Sequence, residues 1–308
     1  MPFRFSLPLM IAATLWSSGA SAAAETAEAP PAQLRQNLEA LVRKSGLHAG
    51  VAIKDLVAGD EFLVNGDEVF PQGGSIRIHL IAELFRQAAA KKLSLDEVRP
   101  LPASARTGGS GVLRHLTPGS VSMNLRDYAA LVITVNDNSA ANFLTDIVGM
   151  ENVNASLAAQ GTPEIKFRRR AVSRLEAPNA PENIGTPRAV MRALELLHRG
   201  EVVDRATSDA IIEVLGLPEV SYFKRELPAF IRFAGRSGSG PNHRCEAGIV
   251  LVPNHPYVLC VMIKDLHPGS GRSRDYARAD ALIGEVTRLA QERVMPRAGS
   301  APRSPRGK

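Results

Sequence analysis

Aromatic residues are scarce, at 5% of the 308 residues, with a single Trp. Binding nucleic acid through its bases needs stacking aromatics set among basic residues, and this composition offers few. Concentrated positive charge is lacking too. The formal charge is +6, but Arg4 lies in an N-terminal leader and Arg297, Arg303, Arg306 and Lys308 lie in a Pro/Gly/Ser tail. Subtracting these five charges leaves +1 for the body, so nucleic acid is not an expected partner. Arg168-Arg169-Arg170 is the one basic cluster and reads as a solvated loop. No stretch after the leader approaches the roughly 18 apolar residues of a membrane helix, so no span is expected.

The leader has the layout of a secretion signal over residues 1–22. Arg4 is its basic start, Leu7 to Trp16 its apolar run and Ala20-Ser21-Ala22 its small-residue cleavage site. No Cys follows the cleavage point to carry a lipid, so the expected product is periplasmic or secreted. Cysteine is nearly absent. Cys245 and Cys260 fall on two strands joined at Pro253-Asn254-His255-Pro256. A turn there sets Cys260 opposite Ile249 and leaves Cys245 about 13 Å away along the strand, beyond disulfide reach. Two free thiols are expected.

The rest divides by periodicity. Leu34 to Val42 has helical spacing, Gly50 to Leu56 and Phe62 to Val64 read as strands, and Leu80 to Ala90 as an apolar helix. Ser94-Leu95-Asp96-Glu97 has the spacing of a capping box. Thr107-Gly108-Gly109-Ser110-Gly111 lacks the Gly-Lys-Ser/Thr ending of a phosphate loop and reads as a turn. Helices from Leu125 to Val135 and from Ser139 to Val148 flank a polar break at Asn136-Asp137-Asn138. An irregular stretch from Lys166 to Asn183 precedes helices at Thr186–Leu197 and Ser208–Leu215. Phe230 to Gly238 and the cysteine hairpin supply further strands, and Asp275 to Arg293 a closing helix. Strands at both ends around a helical middle predict an α/β protein. The expected division is an α/β lobe from 31–69 and 225–295, an inserted all-α lobe at 70–224 and a disordered tail at 296–308.

At the head of the first lobe-spanning helix stands Phe70-Pro71-Gln72-Gly73-Gly74-Ser75-Ile76-Arg77-Ile78-His79, a turn of small residues feeding an apolar helix. Such a helix start presents free N–H groups and a positive dipole end to a ligand. This stretch, with Gly109-Ser110-Gly111-Val112-Leu113, Asn136-Asp137-Asn138-Ser139-Ala140 and Arg236-Ser237-Gly238 before Ala247-Gly248-Ile249-Val250, resembles the class A β-lactamase-like serine hydrolases, part of the wider group of penicillin-recognising enzymes. The resemblance runs from about Leu34 to Val294. It implies that family's fold, an antiparallel sheet flanked by N- and C-terminal helices plus an inserted all-α lobe, and no cofactor or metal.

The family's chemistry uses Ser-x-x-Lys at this helix, a Ser-Asp-Asn turn, a Lys-Thr-Gly strand and a loop Glu that activates water. Here Gly74 stands at the serine position, Arg77 at the lysine position and Asn136 at the relay serine. Glycine has no nucleophile, and arginine with a pKa above about 12 is no base near neutrality. Other parts persist. Arg236-Ser237-Gly238 offers a cation suited to a carboxylate, backbone N–H groups of Gly74 and Ser239 fit an oxyanion hole, and Asn138 offers an amide. Glu176, with Asn179 three residues on, is the candidate loop carboxylate, and Glu182-Asn183 a second.

Substitute chemistry has candidates as well. Ser75 and His79 are four apart on one helix, a possible dyad, although Ser75 sits about 100° round from Gly74. Ser221-Tyr222-Phe223-Lys224 matches Ser-x-x-Lys without its structural context, and His243, Cys245 and Glu246 lack further ligands for a metal. Three readings follow. The first is a pocket that recognises a small-molecule or peptide ligand bearing a carboxylate, of β-lactam or peptidoglycan-peptide type, with little acyl-enzyme chemistry. The second is an active hydrolase using Ser75 with His79, or water activated by Glu176. The third is a module that keeps only the fold.

Overall fold

The computed structural model describes residues 30–171, 181–218, 221–267 and 272–298. The leader, Glu176, Asn179 and the tail beyond Ala298 lie outside them. The chain opens with α1 (Pro30–Ser45), β1 (His48–Asp55) and β2 (Glu61–Val64). Next come β3 (Phe70–Pro71), a 3-10 turn (Gly73–Ile76), α2 (Arg77–Ala89), β4 (Val98–Pro100) and β5 (Ser122–Asn124). Then follow α3 (Leu125–Thr134), α4 (Asn138–Val148), α5 (Met150–Ala159), β6 (Ile184–Gly185), α6 (Pro187–Arg199) and α7 (Arg205–Leu215). The strands β7 (Arg232–Gly240), β8 (His243–Leu251) and β9 (Tyr257–Lys264) and helix α8 (Arg272–Ala298) complete it.

Five strands form one antiparallel sheet in the order β2-β1-β9-β8-β7. Both of its faces are covered, so β8 and β9 are buried along almost their whole length instead of alternating. On one face Val51, Ile53, Val261 and Ile263 pack with Leu38 of α1 and Ile283 and Val286 of α8. On the other, Ala52, Ala247, Cys260 and Met262 share a core with Ile81 and Leu84 of α2 and Val190 and Leu194 of α6. The helices at the two ends of the chain thus cover one face, and helices from its middle cover the other. The middle also carries the short pairs β3–β6 and β4–β5.

Local chemistry sets the helix starts. Asn124, Asp137, Thr186 and Asp204 each accept a backbone N–H three residues on, capping α3, α4, α6 and α7. Pro187 occupies the first turn of α6, and Gly200 ends it in the left-handed region.

Three expectations are corrected. Cys260 pairs with Ala247, not Ile249, and Cys245 faces Met262, so the thiols are offset by two residues instead of four. The cause is a longer turn. Leu251 pairs outward with Arg232, and the Val252 carbonyl accepts from His255 N at 3.0 Å, so β8 and β9 part after Val250. Both thiols are nonetheless free, as expected, and both are buried. Ser94 starts no helix; its carbonyl closes a turn onto Glu97 N at 3.2 Å, and the chain enters β4. Finally, α8 runs through Ala298, past the boundary set at 296. Helix α5 has no counterpart among the expected elements. Only Val153 and Leu157 are buried in it, among Asn, Ser and Ala, so its sequence has little amphipathic signal.

Candidate functional site

The start of α2 is held from two sides. Gln72, just ahead of the turn, donates its backbone N–H to Asn183 O at 2.8 Å and its side-chain Nε2 to Ile184 O at 3.0 Å. On the other side β7 lies against the turn so closely that a Cβ on Gly238 would sit 2.1 Å from Gln72 O and 2.6 Å from Gly74 N. Only glycine permits that approach. The Arg-Ser-Gly strand and the helix start are thus brought face to face, as the family resemblance implied.

Gly74 faces a crowded space. A Cβ there would meet Asn136 Oδ1 and Ser237 O, each at 3.2 Å. Asn136 is fixed by Arg77, whose two Nη groups donate to Asn136 Oδ1 and Asn138 Oδ1. Arg77 is buried, and its pKa is pushed down to about 9, first by loss of water and then by Arg236 nearby, with Asp137 opposing. It stays a cation at neutral pH. Asn136 adopts a positive φ of 56°, a conformation Asn tolerates better than most residues. Between the two amides, buried Asp137 accepts from Val112 N at 2.6 Å, Leu113 N at 2.9 Å and Ala140 N at 3.0 Å. Asn138 Nδ2 donates to Gly108 O at 3.0 Å. The α3–α4 turn, the 107–113 loop and α2 are therefore joined by one polar network.

Around this network lies a cleft of about 270 Å³. Gly74, Arg77, Asn136, Asn138 and Ser239 line it together, which brings five of the expected binding residues to one place. Ser110, Thr145 and Ser239 are the hydroxyl residues along its walls, and no lysine lines it among the described residues. Acyl transfer needs a nucleophile beside a base, and where the resemblance puts that pair the cleft offers Gly74 and Arg77.

Other candidates lie elsewhere. Ser75 is buried; its hydroxyl donates to Gln72 O at 2.8 Å and sits 3.1 Å from Cys245 Sγ, behind the cleft. His79 lines a separate small cavity with Glu83, Arg86 and Ser156, and burial pushes its pKa down to about 4. Neither side chain lines the cleft, so the structure does not bring a Ser75–His79 dyad to it. Arg236 is buried beneath the cleft and gives Nη1 to Ile133 O at 2.9 Å; burial lowers its pKa and Glu246 opposes. Lys224 sends Nζ to Pro218 O at 2.9 Å, so Ser221-x-x-Lys224 forms no catalytic pair. His243 lies in the cleft wall, whereas Cys245 and Glu246 are successive residues of β8 and point to opposite faces. Glu246 is buried, accepts from Phe223 N at 2.9 Å, and is pushed up to about 7 mainly by loss of water.

The opposite wall gives no clear signal in the sequence. Arg169 and Arg170, expected in a solvated loop, both line the cleft, together with Phe167 and Glu182. Asn183 Oδ1 accepts from Arg168 N at 2.7 Å and Arg169 N at 3.0 Å, which fixes the backbone there. Arg169 pairs with Glu182 at 3.0 Å and Arg170 with Asp146 at 3.0 Å. Arg170 also gives Nη2 to Ser104 O at 3.2 Å, on an exposed side of the wall.

Known proteins share this fold. The model of the "Beta-lactamase enzyme family" matches residues 33–294. Beta-lactamase Toho-1 of Escherichia coli is 24% identical over 264 residues, covering 84% of this chain and 90% of that protein. Among solved structures, a β-lactamase from Sphaerobacter thermophilus is 27% identical with a TM-score of 0.75, covering 89% of this chain and 98% of its own. An ancestral class A β-lactamase is 25% identical with a TM-score of 0.74, covering 84% and 99%. No helix among the described residues is long and apolar enough to cross a membrane. Alike in sequence from end to end of the fold and alike in the fold itself, this chain belongs to the beta-lactamase enzyme family, among the class A β-lactamase-like serine hydrolases.

Proposed function

We propose that this protein is an exported receptor-like member of its family. Its cleft takes a small-molecule or peptide ligand bearing a carboxylate, of β-lactam or peptidoglycan-peptide type, with little or no acyl-enzyme turnover. One observation carries the reading. The position that resembles the nucleophile is glycine, and the neighbouring space is filled by Asn136, which Arg77 holds in place. A serine hydrolase needs an open nucleophile and a base able to take its proton. Here the corresponding groups are a hydrogen atom and a guanidinium. The charge of the cleft favours an anion, since Arg77, Arg169 and Arg170 line it against Glu182 alone among carboxylates of the described residues. Export rests on Arg4, the apolar run and Ala20-Ser21-Ala22.

Incubating the mature protein with a reporter penicillin tests this directly. We expect saturable binding, no covalent mass shift and no turnover. An acyl adduct, or turnover lost on Ser75→Ala, would reverse the proposal in favour of a rearranged hydrolase. Absence of any binding to a penicillin or a stem peptide would leave a module that keeps only the fold. Gly74→Ser combined with Arg77→Lys should release Asn136 and restore a nucleophile beside a base. An adduct gained by that double variant would mark the rest of the site as still in register.

A further inference from the structure

We infer that the ligand's carboxylate is received by Arg169 and Arg170, in the segment that Asn183 holds, and not by Arg236 of the Arg-Ser-Gly strand. This rests on the reading above that the ligand carries a carboxylate.

Two other cations are already committed. Arg236 is buried, does not line the cleft, and gives Nη1 to Ile133 O. Arg77 reaches the cleft but spends both Nη groups on Asn136 and Asn138. Freeing either guanidinium for a ligand would strand buried amide or carbonyl oxygens without a donor.

Arg169 and Arg170 differ. Their side chains are 23% and 31% exposed, and their carboxylate partners Glu182 and Asp146 are 26% and 39% exposed. Such partly exposed pairs open more readily than buried ones, because water can take over part of the solvation of each charge when the pair parts. The bond from Arg170 to Ser104 O is exposed and is as readily replaced by water. An incoming carboxylate can therefore take a guanidinium while Glu182 or Asp146 turns to solvent. Side-chain freedom does not make the platform loose, since Asn183 Oδ1 pins the backbone at Arg168 and Arg169. A fixed backbone carrying two forked donors suits bidentate recognition of a planar carboxylate.

The test measures dissociation constants for benzylpenicillin and for N-acetyl-D-alanyl-D-alanine, each against its methyl ester. Wild type should prefer the free acids. Arg170→Ala, and separately Arg169→Ala, should weaken the acids by about ten- to a hundredfold while leaving the esters unchanged. Arg170→Lys should recover part of the loss, because it keeps the charge without the fork. If the acids bind wild type and both alanine variants equally, the assignment is wrong although the carboxylate reading stands. The assignment is equally wrong if Arg236→Gln, still folded by its melting curve, is the variant that abolishes discrimination between acid and ester. If neither acid binds wild type, the assignment and the reading beneath it fall together.

Discussion

Arg77 and Arg170 line the same cleft, yet they live under opposite conditions. Arg77 is buried, answered by two neutral amides, and has Arg236 near enough to lower its pKa. Arg170 is half-exposed and answered by one carboxylate and one exposed carbonyl. The same side chain serves as a strut on one wall and as an available hook on the other. What separates them is whether water can replace the present partner. Behind Arg77 it cannot, so the network there acts as part of the core. Beside Arg170 it can, and the pair opens at little cost.

Removing the strut should have the largest effect. Arg77→Met leaves the oxygens of Asn136 and Asn138 without their donor and takes a countercharge from buried Asp137. Urea unfolding should report a loss of about 3 kcal/mol, the scale of breaking a buried charged network from one side. A loss under about 1 kcal/mol would mean that the amides find other donors, and the contrast between the walls would collapse.

The buried side of the molecule should also respond to pH, through two groups that act in opposite senses. Glu246 is raised from an ordinary 4.5 to about 7 by burial, so the folded protein holds a proton the unfolded chain has released. Its contribution is complete below 4.5 and is lost as pH rises through about 7. His79 is lowered from 6.5 to about 4 by burial, so its contribution is present above 6.5 and is lost as pH falls through about 4. Between those limits the two slopes partly cancel. Glu246→Gln should remove the alkaline arm of the stability profile and expose the acid one; His79→Gln should do the reverse. Superimposable profiles for wild type and both variants would show that neither group is held as its surroundings indicate.

The two walls were not equally legible in the sequence. Gly74, Arg77, Asn136 and Asn138 lie within short segments whose order and spacing are specific, and they meet where those segments implied. The strands and most helices followed from periodicity, and the antiparallel sheet from the resemblance those segments carry. Arg169 and Arg170 gave no such signal, because three successive arginines look alike whether they face water or a cleft. Their partners are distant in the chain: Asn183 binds the backbone of Arg168 and Arg169 from 15 and 14 residues away, and Arg170 pairs with Asp146 and Ser104 O. Arg236 erred the other way. The resemblance pointed it to ligand binding, but its guanidinium is given to the Ile133 carbonyl, 103 residues distant in the chain. The hairpin slipped for a related reason, since the pairing of Leu251 with Arg232 depends on a strand outside the hairpin.

The smallest expected effect is also the one that most sharpens the comparison. Arg170→Ala should shift unfolding free energy by no more than about 0.5 kcal/mol, because Asp146 is exposed enough to take water in place of the lost guanidinium. The same substitution is expected to weaken carboxylate binding about tenfold or more. A residue that matters to ligand but not to folding is what an exchangeable pair requires. If Arg170→Ala instead destabilised the fold as much as Arg77→Met, the Arg170–Asp146 pair would be a strut like the other, and its carboxylate partner would not yield to a ligand. Added salt probes the same point independently. Exposed pairs are screened over a Debye length of about 8 Å at physiological ionic strength, whereas buried ones are screened far less. Raising salt should therefore shrink the already small stability difference for Arg170→Ala and leave that for Arg77→Met nearly unchanged.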